Sequence, residues 1–212
     1  MLKVFIAIFL GASAVYLASL LLKKRSVEVV TKICLLPPLL GVYVCGAENL
    51  FVPVILALIF GWGGDVFLLK IGDTRFFRLG LASFLIGHLC YIPSFIFFAE
   101  GLNVIVLLVS LALGLPLCLV IYVIIKPEKA MGLSVAAYEV IIMLMSLSAL
   151  QLLVSRRDMR GLLVFAGSLC FLVSDTLLAR FTFRGKVKYG DFFVMLLYIA
   201  AQWMITWGMT GV

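Results

Sequence analysis

An all-α integral membrane protein, a single domain over residues 1–212 folded as a bundle of eight transmembrane helices, is the fold this sequence predicts. Two observations predict it. Of the 212 residues, 65% are hydrophobic and only 13% charged, against about a quarter charged in an ordinary soluble domain. Apolar runs of about 20 residues, long enough to cross roughly 30 Å of hydrocarbon as helix, recur at 2–22, 29–46, 51–69, 77–98, 102–125, 131–154, 160–180 and 191–211. Short connections separate them, with no Ser- or Gly-rich linker and no low-complexity segment.

The first run is apolar from Val4 to Leu22 and ends in Lys23-Lys24-Arg25. That is too long for the core of a signal peptide, and no small-residue cleavage site follows it, so a retained helix is expected. The second run carries Lys32 close enough to its end to snorkel, then Pro37-Pro38. The third holds Asp65 in "GWGGDVFLL", the fourth His88 and Pro93, the fifth Pro116, the sixth Glu139 beside Tyr138, the seventh Asp175, and the eighth Tyr198 and Gln202. A proline within a span lacks an N–H and frees carbonyls. Lipid cannot satisfy them, so such irregularity is expected to face protein or a wet cavity.

Cys34, Cys45, Cys90, Cys118 and Cys170 are odd in number, lie in the spans and form no C-x-x-C. Free, buried thiols are expected rather than disulfides or a zinc site.

The net charge of +7 follows the connections rather than marking a nucleic-acid surface. Lys23, Lys24, Arg25 and Lys32 surround the first connection. Lys70, Arg75 and Arg78 lie in the third, Lys126 and Lys129 in the fifth, and Arg180, Arg184, Lys186 and Lys188 in the seventh. The second and fourth carry only Glu48 and Glu100. By the positive-inside rule the odd connections are cytoplasmic. The sixth, "SRRDMR", departs from the pattern with Arg156, Arg157 and Arg160. A weak echo, "GGDVFLL" (63–69) against "VSDTLLA" (173–179), admits a parallel four-helix repeat and places Asp65 and Asp175 at similar depth.

Ionisable groups at membrane depth are the informative feature, because each costs about 2.5–3.5 kcal/mol when charged at a helix centre. Helical spacing sets them on small-residue faces: Gly61, Gly64 and Asp65; Gly80, Ser83, Gly87, His88 and Tyr91; Ser168, Phe171, Ser174 and Asp175; Tyr198 and Gln202. Small residues allow close helix approach, so these faces point inward. Glu139 could instead pair with Lys126 or Lys129 near the rim.

There is no G-x-S-x-G, no P-loop and no G-x-G-x-x-G after a strand, and one histidine rules out a three-histidine zinc site. A carboxylate pair remains. Two acids in a poorly solvated site separate their titrations, which supplies one acid and one base for hydrolysis. A small transporter with carboxylates at the midplane is the alternative, and a purely structural subunit a third reading.

The ordered motifs "TKICLLPPLL", "GWGGDVFLL", "RLGLASFLIGHLCYI", "AAYEVIIMLM", "AGSLCFLVSDTLLA" and "VMLLYIAAQWMI" resemble the YhhN-like lysoplasmalogenase family of multi-pass membrane proteins over most of the chain. Where that family shows two adjacent tyrosines this chain has Tyr198 and Ile199, so only Tyr198 carries over; Glu139 matches no motif. The resemblance implies hydrolysis of the vinyl ether bond of lysoplasmalogens to a fatty aldehyde and a glycerophospho-ethanolamine or -choline. On that basis one aspartate is expected as acid and the other as base, Asp175 and Asp65 in that order being favoured although the sequence does not assign them, with His88, Tyr91, Tyr138, Tyr198 and Gln202 orienting water or glycerol oxygens and Lys32 meeting the phosphate. Its substrate makes a lysophospholipid in surrounding membrane lipid the expected partner and a tail-sized apolar tunnel the expected cavity; no cofactor or metal is required, although an Asp–Asp pair could hold Mg²⁺, and a bacterial inner membrane is favoured over an internal eukaryotic one.

Overall fold

The computed structural model describes residues 1–70, 72–99 and 101–211. Glu100, the charge expected in the fourth connection, lies outside them. The chain forms α1 (Leu2–Leu22), α2 (Arg25–Ile33), α3 (Leu36–Gly46), α4 (Val52–Phe67), a 3₁₀ turn (Leu68–Lys70), α5 (Thr74–Phe98), α6 (Val104–Ile125), α7 (Gly132–Arg156), α8 (Met159–Arg184) and α9 (Gly190–Met209). No strand occurs among the described residues. Among the described residues, eight segments are long and apolar enough to cross a membrane, with α2 and α3 together forming the second, Arg25–Gly46. The protein is a multi-pass membrane protein.

The second span differs from the single helix expected over 29–46. It starts at Arg25 and breaks at Cys34 and Leu35. The cause is Pro37, which has no N–H to offer the carbonyl four residues earlier. That carbonyl belongs to Ile33, and the Trp62 indole N–H donates to it at 2.9 Å. The break therefore faces protein, as expected. Trp62→Phe keeps an aromatic ring and deletes the donor; leaving this carbonyl without a partner costs about 1–3 kcal/mol, seen as a lower thermal midpoint in detergent with the helix content unchanged.

Pro93 and Pro116 do not follow that expectation: both are exposed, and α5 and α6 run unbroken through them. On an outward face a missing ladder bond lengthens that side of the helix, and the packed side can then close on its neighbours. The cysteines are all free, but only Cys118 is buried; Cys34 and Cys45 are exposed. A thiol is weakly polar enough to lie on an apolar outer face.

Helix ends account for much of the charge. Lys23, Lys126 and Arg157 follow α1, α6 and α7 with φ of 54°, 47° and 52°. Side chains other than glycine rarely adopt this left-handed geometry, while a cation at a helix C-terminus is favoured by the dipole. The anomalous sixth connection has a local explanation. Asp158 caps α8 by accepting the Gly161 N–H at 2.8 Å and pairs with Arg156 at 3.3 Å. The Gly161 N–H holds its carboxyl below the usual carboxylate range against the opposing effect of burial, with Arg156 and Arg160 adding to the lowering.

The chain divides into two compact units, residues 1–94 with the last turn from Met209, and Phe95–Gly208. The boundary falls inside α5, just beyond Pro93. In the first unit α1 packs on α2 and α3, and α4 on α2 and α3. The α4–α5 contact depends on missing side chains. A Cβ at Gly64 would lie 2.5 Å from the Phe84 ring, and one at Gly87 would lie 3.2 Å from the Ala57 carbonyl. In the second unit α6, α7 and α8 pack pairwise, and α8 meets α9 through the Ser174 hydroxyl, which donates to the Val194 carbonyl at 2.9 Å.

Candidate functional site

The small-residue faces expected to point inward do so: Gly61, Gly64, Asp65, Gly80, Ser83, Gly87, His88, Tyr91, Ser168, Phe171, Ser174, Asp175, Tyr198 and Gln202 are all buried. What the sequence did not reveal is how the charged members are held.

In the first unit, Asp65 sits in the last turn of α4, one turn beyond Gly61, and is only 2% exposed. Lys32, in the last turn of α2, places Nζ 3.6 Å from Asp65 Oδ1 with its side chain 12% exposed. Lys32 therefore does not snorkel to the interface. The break before Pro37 ends α2 beside α4, and a lysine that would otherwise reach outward turns in to an acid. A buried charge is tolerable only when paired, and Lys32 is the counter-charge. On α5, His88 and Tyr91 are buried beside Gly87 on the same stripe, and the Ser83 hydroxyl donates to the Phe60 carbonyl of α4 at 2.6 Å. The Tyr43 hydroxyl of α3 accepts the Phe51 N–H at 3.1 Å, fixing the start of α4.

In the second unit, the Tyr138 hydroxyl of α7 donates to Asp175 Oδ2 of α8. Tyr138 thus holds an acid, where the expectation gave it water or glycerol oxygens. Glu139, next along α7, is 2% exposed. Its Oε2 has no hydrogen-bond partner among the described residues. The expected pairing with Lys126 or Lys129 is not made. Both lysines are exposed, whereas Glu139 lies where α7 meets α6: the Cys118 thiol approaches the Glu139 backbone carbonyl at 3.7 Å. On α9, Tyr198 packs edge-on against Phe171 at 5.4 Å between centroids, and the Gln202 amide donates to the Tyr198 hydroxyl at 3.4 Å.

Among the candidates, the structure joins Lys32 to Asp65, Tyr138 to Asp175, and Gln202 to Tyr198. Glu139 is the residue whose burial the sequence reading missed. Its signal was present: a carboxylate one position from a tyrosine in an apolar run, with no lysine within two helical turns on α7. A separate cavity of about 300 Å³ lies at the other end of α7, beside Asn103, Gln151 and Arg157, and includes none of these residues.

No curated protein and no solved structure matches the chain. Residues 27–209 match the family model of the YhhN family, nearly the whole length.

Proposed function

The chain belongs to the YhhN family, and from that premise we propose that it is an intramembrane hydrolase that cleaves the vinyl ether bond of lysoplasmalogens. One observation carries the reading. A sequence that avoids charge through its spans keeps two buried aspartates and gives each a dedicated polar partner, Lys32 for Asp65 and Tyr138 for Asp175.

In this reading Asp175 delivers a proton to the β-carbon of the vinyl ether, and the double bond becomes an oxocarbenium ion. Asp65, paired with Lys32, stabilises that cation and takes a proton from the water that adds to it. The hemiacetal then breaks its carbon–oxygen bond, the glycerol oxygen is protonated, and aldehyde and glycerophospho-alcohol leave. Acid and base assistance of this kind is worth about 10²–10⁴-fold per group. Lys32 serves Asp65 rather than the phosphate. His88, Tyr91, Tyr198 and Gln202 orient water and glycerol oxygens, and the single chain of the substrate occupies an apolar tunnel. The odd connections are cytoplasmic, and the membrane is a bacterial inner membrane.

The test is to incubate the purified protein with a 1-alkenyl lysophospholipid and, separately, with its 1-acyl counterpart. The expected products are fatty aldehyde from the first and no fatty acid from the second. Fatty acid without aldehyde would make the protein an esterase and reject the reading.

A further inference from the structure

Glu139 is a carboxylate in the interior of a spanning helix whose Oε2 accepts nothing. Burying an acceptor without a donor costs about 1–3 kcal/mol, more for a charged group, so a native site that tolerates one has a use for it. Two donors beside it on the chain are engaged elsewhere. The Tyr138 hydroxyl goes to Asp175, and the Cys118 thiol to the Glu139 backbone carbonyl. Lys126 and Lys129 point to the surface. What completes Glu139 must therefore bring its own donor, and must bring it beside Tyr138, the neighbouring residue on α7 whose hydroxyl holds Asp175.

Granting the vinyl ether reading above, on which this step rests, Asp175 works at the scissile linkage. The donor nearest that linkage in a lysoplasmalogen is the free hydroxyl on the adjacent glycerol carbon. The head-group ammonium lies several bonds further on. We infer that Glu139 accepts a hydrogen bond from this free hydroxyl and so makes the protein selective for single-chain lipids. A second acyl chain at that oxygen removes the donor and leaves Glu139 buried and unpaired. A site built to hydrogen-bond a hydroxyl rejects the analogue that lacks it far more strongly than an apolar pocket rejects an extra methylene.

Binding rather than turnover tests this, because binding survives if the hydrolase reading fails. The probes are a non-cleavable 1-O-alkyl glycerophosphoethanolamine with a free 2-hydroxyl and its 2-O-methyl derivative, titrated into the protein in detergent. The wild type is expected to bind the hydroxyl form roughly 10- to 100-fold more tightly. Glu139→Met, which keeps the bulk and loses the acceptor, abolishes the preference. Glu139→Gln, which keeps a carbonyl oxygen, retains part of it. Equal binding of both probes by the wild type would overturn the proposal without any variant, as would a preference that persists in Glu139→Met. Choline-headed versions of both probes are expected to show the same preference; one confined to ethanolamine lipids would place Glu139 at the head group and overturn the assignment. A preference lost in Glu139→Met in a protein that releases no aldehyde would uphold the Glu139 assignment and dismiss the hydrolase.

Discussion

Asp175→Asn lowers aldehyde release from a lysoplasmalogen by about 10³-fold or more, with folding retained. The amide is isosteric and still accepts the Tyr138 hydroxyl, so the α7–α8 contact survives while the proton donor is gone. General acid assistance accounts for about 10²–10⁴ of the rate, and protonation of carbon is the step that needs it most. Asp65→Asn is expected to fall by a comparable factor, for a different reason: an amide neither balances an oxocarbenium nor accepts a proton from water. Full activity in either variant, measured as aldehyde from protein of native helix content and elution volume, would end the two-carboxylate mechanism.

Lys32→Met has the largest expected effect on stability. It leaves Asp65 as a buried acid, 2% exposed, with its counter-charge removed. Breaking one partner of a buried pair costs about 3–5 kcal/mol, because the remaining charge is stranded, whereas removing both charges together is often close to neutral. The double variant Lys32→Met with Asp65→Asn should therefore recover most of the thermal midpoint lost in Lys32→Met and yet remain inactive. Asp65→Asn alone strands Lys32 and should sit between them in stability. Thermal unfolding in detergent separates these cases. If Lys32→Met were as stable as the wild type, the pair would contribute nothing, and Lys32 would be free for the phosphate role first expected of it.

These expectations rest on contacts that a linear reading could not supply, although the frame around them was readable. A span must carry about 20 apolar residues because the hydrocarbon is about 30 Å thick, so the eight crossings stood out directly. The inward faces were equally plain, since Gly61, Gly64 and Gly87 mark where helices touch. Partners are a tertiary property. Lys32 was read as a snorkelling residue because its distance from a helix end was visible, while the break at Cys34 that turns it toward α4 was marked only by Pro37-Pro38. Tyr138 meets Asp175 across two helices, which no periodicity encodes. Glu139 was set aside because nearby lysines offered an easy pairing in sequence, yet it is buried and they are exposed.

Isotope labelling reaches the chemistry most directly. Purified protein turns over a lysoplasmalogen in D₂O, and the aldehyde is trapped at once by reduction to the alcohol. Proton delivery to the vinyl ether carbon predicts one deuterium on carbon 2 of the product, in amounts that follow the protein and disappear in Asp175→Asn. Aldehyde without deuterium at that carbon, or no aldehyde at all, would contradict intramembrane acid hydrolysis of the vinyl ether.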